Sequence, residues 1–308
     1  MVRPRAPRYP QQVVASELEG GVVDAPRPGR ATTTSVSGRI VARLALRVVR
    51  IATWNVNSVT ARLPRLLDWL ETRQPDLACL QELKVTEDAF PHMPVQALGY
   101  EAAVHADGRW NGVAVLSRVG LDDVRRGLDS EPGFPDDEPE TRAVAATCGG
   151  VRVRSVYVPN GRTPDDPHYT YKLAWLEALR TTLAAELVDH PSSIVLGDFN
   201  VAPTDADVWD PAKFVDSTHV TEPERTALTA ITNLGLVDVI PRPGKGANPF
   251  TYWDYRAGAF HQDWGMRIDH AYASAPLAER VTDAWVDRES RKGKGPSDHA
   301  PVVLDLSG

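Results

Sequence analysis

The stretch SIVLGDFN (193–200) sets the pattern of the whole chain. An apolar run, Ile194-Val195-Leu196, is bounded by turn-forming residues and reads as a buried strand; directly behind it stand a carboxylate, Asp198, and an amide, Asn200. The same design recurs on both sides. VVRIATW (48–54) runs into Asn55, DLACLQE (76–82) ends on Glu82, and VRVRSVYV (151–158) carries Tyr157 and leads to Asn160. NGVAVLS (111–117), MRIDHAYAS (266–274) and APVVLDL (300–306) are further strand-like runs, the last preceded by Asp298 and His299. Apolar residues at three- and four-residue spacing predict helices over 61–73 and 171–188, with a third over 223–234. Strands and helices in mixed order, without strict βαβ alternation, predict an α/β sandwich in which helices cover packed sheets.

Composition narrows the class. With 42% hydrophobic and 24% charged residues, the chain is neither fibrous nor wholly disordered. No run of 18 apolar residues appears, and MVRPRAPRYP at the start is followed by no apolar segment, so neither a membrane span nor a secretory signal is expected. Cys79 and Cys148 lie in apolar runs and read as reduced core residues, which places the protein in the cytoplasm. Residues 1–47 hold eight Arg against three acids, so of the net −7 the remaining 48–308 carry −12. That balance excludes a general nucleic-acid coat. It leaves room for an acidic body that binds cations. The Pro-, Arg-, Thr- and Ser-rich segment 1–47 is expected to be disordered, with a DNA-touching basic arm or an upstream-start artefact as alternatives. No repeat and no long Pro/Gly linker divides 48–308, which is expected to be one domain.

Asp or Asn after one strand is an ordinary turn former, but six strand ends carrying Asn, Glu, Asp or His point to a shared site. Glu82, Asp198, Asp269 and Asp298 are oxygen donors without any zinc-type Cys/His spacing, and such a set selects Mg²⁺ or Mn²⁺. Asp198 and Asn200, two apart on an extended segment, are expected to face the same way, the first activating water and the second orienting it. His299 can hydrogen-bond a phosphoryl oxygen if Asp269, in the middle of MRIDHAYAS, fixes its ring. The chemistry read from these residues is metal-assisted phosphodiester hydrolysis.

WNVN (54–57), LQE (80–82), GDFN (197–200) and SDHAPV (297–302), in this order, resemble the endonuclease/exonuclease/phosphatase superfamily with its DNase I-like fold. GRWNGVAVLS (108–117), YVPNG (157–161), NLGLVDV (233–239), FTYWDYR (250–256) and GMRIDH (265–270) are more specific and resemble exonuclease III and its AP-endonuclease relatives. The resemblance covers 48–308 and implies a four-layer α/β sandwich, a divalent metal, 3′→5′ exonuclease action on duplex DNA, and cleavage at abasic or 3′-blocked sites by a monomer. It implies Glu82 as metal ligand with Asn55 beside it, Asp198 and Asn200 at the water and the metal, and Asp298 as a second-metal or His-supporting carboxylate. Tyr157 and Asn160 are implied as phosphate contacts, and His299, oriented by Asp269, as the group at the phosphorus and the edge of the metal site. Leu83 where relatives commonly have Thr, Ser58 where Gly often follows the WNVN-like turn, and Met266 where several have Trp or Leu are departures.

Other features have plainer readings. Trp54, Trp253 and Trp264 are expected to pack in the core or rim, Tyr252, Met266 and Ile268 to line a small apolar pocket, and His270 to face away from Asp269. The basic run 288–294 is either a DNA contact or a solvated loop, and the acidic run 129–140 a solvated loop. The competing functions are a phosphodiesterase of the same fold acting on a phospholipid or inositol phosphate head group, and a non-catalytic binding module.

Overall fold

The computed structural model describes residues 49–108 and 110–308. The disorder expected of 1–47 lies outside the described residues. Strands β1 (Val49–Asn55), β2 (Leu77–Gln81), β3 (Glu101–His105) and β4 (Val113–Ser117) belong to one sheet. Strands β5 (Asp122–Arg126), β6 (Ala143–Cys148), β7 (Val151–Tyr157), β8 (Ser193–Asp198), β9 (Leu236–Asp238) and β10 (Asp269–Ser274) make the other. The chain then returns to the first sheet with β11 (Val281–Val286) and β12 (Val302–Leu306). The sheet orders are β11-β12-β1-β2-β4-β3 and β5-β6-β7-β8-β10-β9.

Strand alternation decides what packs where. Ile51, Leu77, Cys79, Ile194, Leu196, Val302 and Leu304 point between the sheets and form the inner core. Ala52, Trp54, Ala78, Leu80 and Val303 point outward, against Leu66, Trp69 and Leu70 of α1 (Val59–Arg73) and Val95 of the short α2 (His92–Ala97). On the second sheet Val156, Val195 and Tyr272 meet Trp175, Leu176 and Leu179 of α3 (Pro167–Asp189) and Leu228 and Ile231 of α4 (Glu222–Thr232). The result is helix, sheet, sheet, helix. Asp166 starts α3 by accepting the His168 amide, with Pro167 preset for the first turn; Thr221 and Glu224 close a capping box on α4.

Cys79 and Cys148 are free and buried in the inner core, which holds both thiols well above their ordinary value. Trp54 and Trp253 are buried, and Trp264 stacks on Trp209 with ring centroids 4.8 Å apart. Among the described residues, no helix is long and apolar enough to cross a membrane. The acidic run is an exposed loop at Asp129 and over 135–139, as expected, but it is anchored at two points, because Glu131 accepts the Trp175 indole and Glu140 holds Asn111, Arg142 and Tyr171. In the basic run Arg288 and Arg291 are buried, donating to the carbonyls of Phe260, Ser297 and Trp253, so only its lysines remain at the surface.

Candidate active site

The pairing of strands brings the site together. β1 runs parallel to β2, and β7 parallel to β8, so Asn55, Glu82, Tyr157 and Asp198 stand at C-terminal strand ends. β10 runs antiparallel to β8 with Asp269 directly opposite Asp198. Asp269 therefore opens its strand instead of standing in the middle of it, as the sequence pattern had placed it. Before it, the Thr251 hydroxyl accepts the amides of Ile268 and Asp269, and the backbones of Met266 and Arg267 pair instead with Tyr252 and Asp207. β12 runs antiparallel to β1, which carries the preceding Asp298 and His299 to the same edge.

Asn55 bridges the sheets. Its Nδ2 donates to Glu82 Oε1 at 2.7 Å and to Asp198 Oδ2 at 2.9 Å, while its Oδ1 accepts the Asn57 amide. Asp198 Oδ1 accepts the Asn200 amide at 2.9 Å, so both oxygens of Asp198 are held. Asn200 is not extended: its φ of 52° is left-handed, because the chain turns as soon as β8 ends. Its side chain consequently leaves Asp198 and joins Val158 O and Asn160 Nδ2, tying Asn160 into the site. His299 Nδ1 lies 2.8 Å from Asp269 Oδ2, and its Nε2 lies 3.7 Å from Asp198 Oδ2. Burial works against a charged His299, but the carboxylates of Asp269 and then Asp198 raise it to about 10. Burial raises Asp198 to about 7, with His299 opposing and Asp269 and Glu82 adding repulsion. Tyr157 stays a neutral phenol, pushed well up by burial and by Glu82, with the Arg142 guanidinium 4.9 Å from its ring centre.

Oxygens of Glu82 and Asp198 and a ring nitrogen of His299 lie within 4.8 Å of one another. The raised Asp198 and the buried, unpartnered Oδ1 of Asp269 mark negative charge that the chain offsets only in part. The carboxylate oxygens of this group fit a hard divalent cation, whereas the protonated His299 offers it no lone pair. Asp298 lies beside it, its Oδ1 accepting Asn57 Nδ2 at 3.0 Å.

Sequence reasoning missed the groups behind this layer. Lys84 sits 2.8 Å from Glu82 Oε2 and donates to Asn57, holding the Glu82 carboxyl low against the effect of burial. The fully buried Lys172 donates to the backbone oxygens of Asn160 and Asn200, to Thr218 and to Glu224. It thereby joins two loops that each bring an Asn to the site. The only trace in the sequence is a lysine among the apolar residues of α3.

The model of the "Endonuclease/Exonuclease/phosphatase family" matches residues 52–299. The chain belongs to that family. Its relatives include exodeoxyribonuclease III of Haemophilus influenzae, 28% identical over 84% of this chain and 100% of that protein. The exodeoxyribonuclease of Bacillus subtilis is 30% identical with the same coverage. Among solved structures, the 3′-5′ exonuclease NExo of Neisseria meningitidis superposes with a TM-score of 0.79 at 39% identity, covering 84% of this chain and 100% of that one. An AP endonuclease of Archaeoglobus fulgidus gives 0.78 at 37%, covering 84% and 99%. The four-layer fold and membership of a family of hydrolytic nucleases are thus established.

Beside the site, a cavity of about 490 Å³ is lined by Tyr252 and Met266 together with Trp209, Trp264, Phe214 and His219. Tyr252 tilts against His299 with centroids 4.9 Å apart, linking cavity and site. Ile268 does not line it; that side chain is 2% exposed and packs beneath Met266. His270 faces away, its Nε2 at 2.8 Å from Val201 O, as expected.

Proposed function

We propose that the protein is a DNA repair nuclease that hydrolyses phosphodiester bonds with Mg²⁺ or Mn²⁺, acting 3′→5′ on duplex DNA and at abasic or 3′-phosphate-blocked sites, as a monomer. The observation carrying this reading is the buried line Glu82–Asn55–Asp198 with His299–Asp269 behind it. The proposed base and acid are neighbours in this arrangement, His299 Nε2 3.7 Å from Asp198 Oδ2, with the Tyr252 ring against His299.

Asp198, held at both oxygens and raised to about 7, takes a proton from the attacking water. His299, kept as an imidazolium by Asp269, faces a non-bridging phosphoryl oxygen and offsets the charge that grows there. In that form it has no free lone pair, which leaves Glu82, with Asn55 beside it, as the charged group that would hold a cation. The cation neutralises phosphate charge when bound. Tyr157 donates its phenolic proton to the phosphate, and Asn160 and Asn200 close the other side of the site. Asp298 reinforces the charge on His299.

The test is cleavage of matched duplexes carrying a blunt end, a 3′-phosphate or an internal abasic analogue, with and without Mg²⁺. Failure to cut any of them in the presence of the metal would refute the proposal.

A further inference from the structure

His219, half-buried in the wall of the Tyr252 cavity, has no part in the chemistry proposed above. Its backbone φ of 82° lies in the left-handed region, which glycine adopts freely and a side chain makes costly. The fold fixes that conformation from both sides. The His219 amide donates to Glu224 Oε1 at 3.0 Å, and its carbonyl accepts the Ala202 amide at 2.7 Å. An imidazole kept at such a position points to a use for the ring. Its Nδ1 lies 2.5 Å from Asn200 O, which can only accept, so Nδ1 carries the proton. Burial and the Lys172 ammonium, which donates to the same oxygen, keep the ring neutral. Nε2 is then an acceptor, and among the described residues no donor meets it. With Nδ1 turned to Asn200, the Nε2 edge is left for the cavity. Other polar groups of the wall serve differently. Arg162, Lys213 and Arg256 only donate, Asp254 is engaged by Arg256, and Thr218 is turned to Asn160 O and Glu224.

We infer that His219 is a specificity-determining residue whose Nε2 accepts the C1′ hydroxyl of an abasic sugar. The inference rests on the proposed action at abasic sites and names the group that tells such a site from an intact nucleotide. An abasic deoxyribose is chiefly a closed hemiacetal, and its C1′ hydroxyl is a donor that a base-bearing nucleotide lacks. Trp264 and Met266 offer the sugar ring an apolar surface, which cannot detect a hydroxyl. A neutral acceptor can, because a sugar without that hydroxyl leaves it desolvated and unpaired. Tyr252 lies between this cavity and His299, its ring centre 4.9 Å from the imidazole, so recognition takes place next to the reacting groups.

The experiment sets two duplexes of one sequence in competition for the full chain with Mg²⁺. One carries a natural abasic site, the other a tetrahydrofuran residue, which lacks only the C1′ hydroxyl. Wild type, His219→Gly and Tyr252→Phe are compared by the ratio of kcat/KM for the two duplexes, in which any loss common to both cancels. Glycine takes the left-handed backbone without cost, so the variant keeps the loop. Wild type prefers the natural site about tenfold, as one buried hydrogen bond allows, and His219→Gly brings the ratio to about one, while Tyr252→Phe keeps the preference. Absence of a preference in the wild type overturns the inference. So does a preference that survives in His219→Gly, even with both rates lowered, since His219 would then only support Asn200. If the wild type cuts neither duplex, it is the proposed action at abasic sites that fails.

Discussion

Replacing Asp269 by Asn isolates the electrostatic part of the site, because the amide keeps the size of the carboxylate and an oxygen that can still accept from His299 Nδ1. In the native protein that contact is 2.8 Å long and fully buried. Burial alone would hold the imidazole below its ordinary 6.5; the carboxylates of Asp269 and Asp198 carry it to about 10 instead. The gap corresponds to roughly 5 kcal/mol of preference for the imidazolium, of which Asp269 supplies the largest share. Without that charge, burial prevails and His299 is neutral near neutral pH. The growing charge on the phosphoryl oxygen then loses its cation, and kcat should fall by ~10²–10⁴-fold, with KM changing far less. The pH dependence separates this cause from simple misfolding. Wild-type His299 stays protonated as pH rises until about 10, so it adds no loss of rate across neutral pH. Asp269→Asn should instead lose rate as pH rises through neutrality, in addition to the fall in acid that both proteins share as Asp198, raised to about 7, takes up a proton. Steady-state rates on one duplex across that range decide the matter. A variant keeping more than about a tenth of wild-type turnover, or one whose profile runs parallel to the wild type, refutes the reasoning.

Glu82→Gln removes a charged ligand and should raise the Mg²⁺ needed for half-maximal cleavage at least about tenfold, with partial recovery at high Mg²⁺, whereas Asp198→Asn should show no such recovery; equal, unrecovered losses in a Mg²⁺ titration would show that ligand and base are not separate. Lys172→Met leaves Glu224 buried without its cation and should cost roughly 3–5 kcal/mol by denaturant unfolding. The double variant Lys172→Met/Glu224→Leu should recover most of that stability while kcat stays low, since the Asn160 and Asn200 carbonyls remain unclamped; full activity in the double variant would make the pair purely structural. His168 accepts the Gly161 amide through Nδ1, and burial, with Arg142 and Arg162 adding repulsion, lowers it from 6.5 to about 4. The unfolded chain therefore takes the proton first, so this contribution is whole above pH 6.5 and is lost as pH falls through about 4. It amounts to ~3 kcal/mol, and His168→Asn should flatten the stability slope over that window in unfolding titrations.

The sequence by itself determined the parts that are local. The β-branched apolar run IVL at 194–196, bounded by turn formers, favours a strand, which sets the acid and amide behind it at a strand end. Asn55, Glu82, Asp198 and His299 could thus be read as one site, because a covered sheet gathers its polar ends at one edge. Strands such as β5, with the exposed edge sequence DDVRR, and β9, only three residues long, carry no such signature and were missed; the Ala-rich β6 hides for want of β-branched bulk. Tertiary structure alone decided which groups pair across the chain. The Asn55 amide reaching Asp198 143 residues away, and Lys172 clamping Asn160 and Asn200, are contacts between elements that no spacing along the chain encodes. The turn at Asn200 and the burial of Arg288 and Arg291 belong to the same class. So does the charge state of His299: the same imidazole next to solvent would titrate near 6.5, and only the dry space between two sheets, with two carboxylates enclosed beside it, holds its proton to about 10.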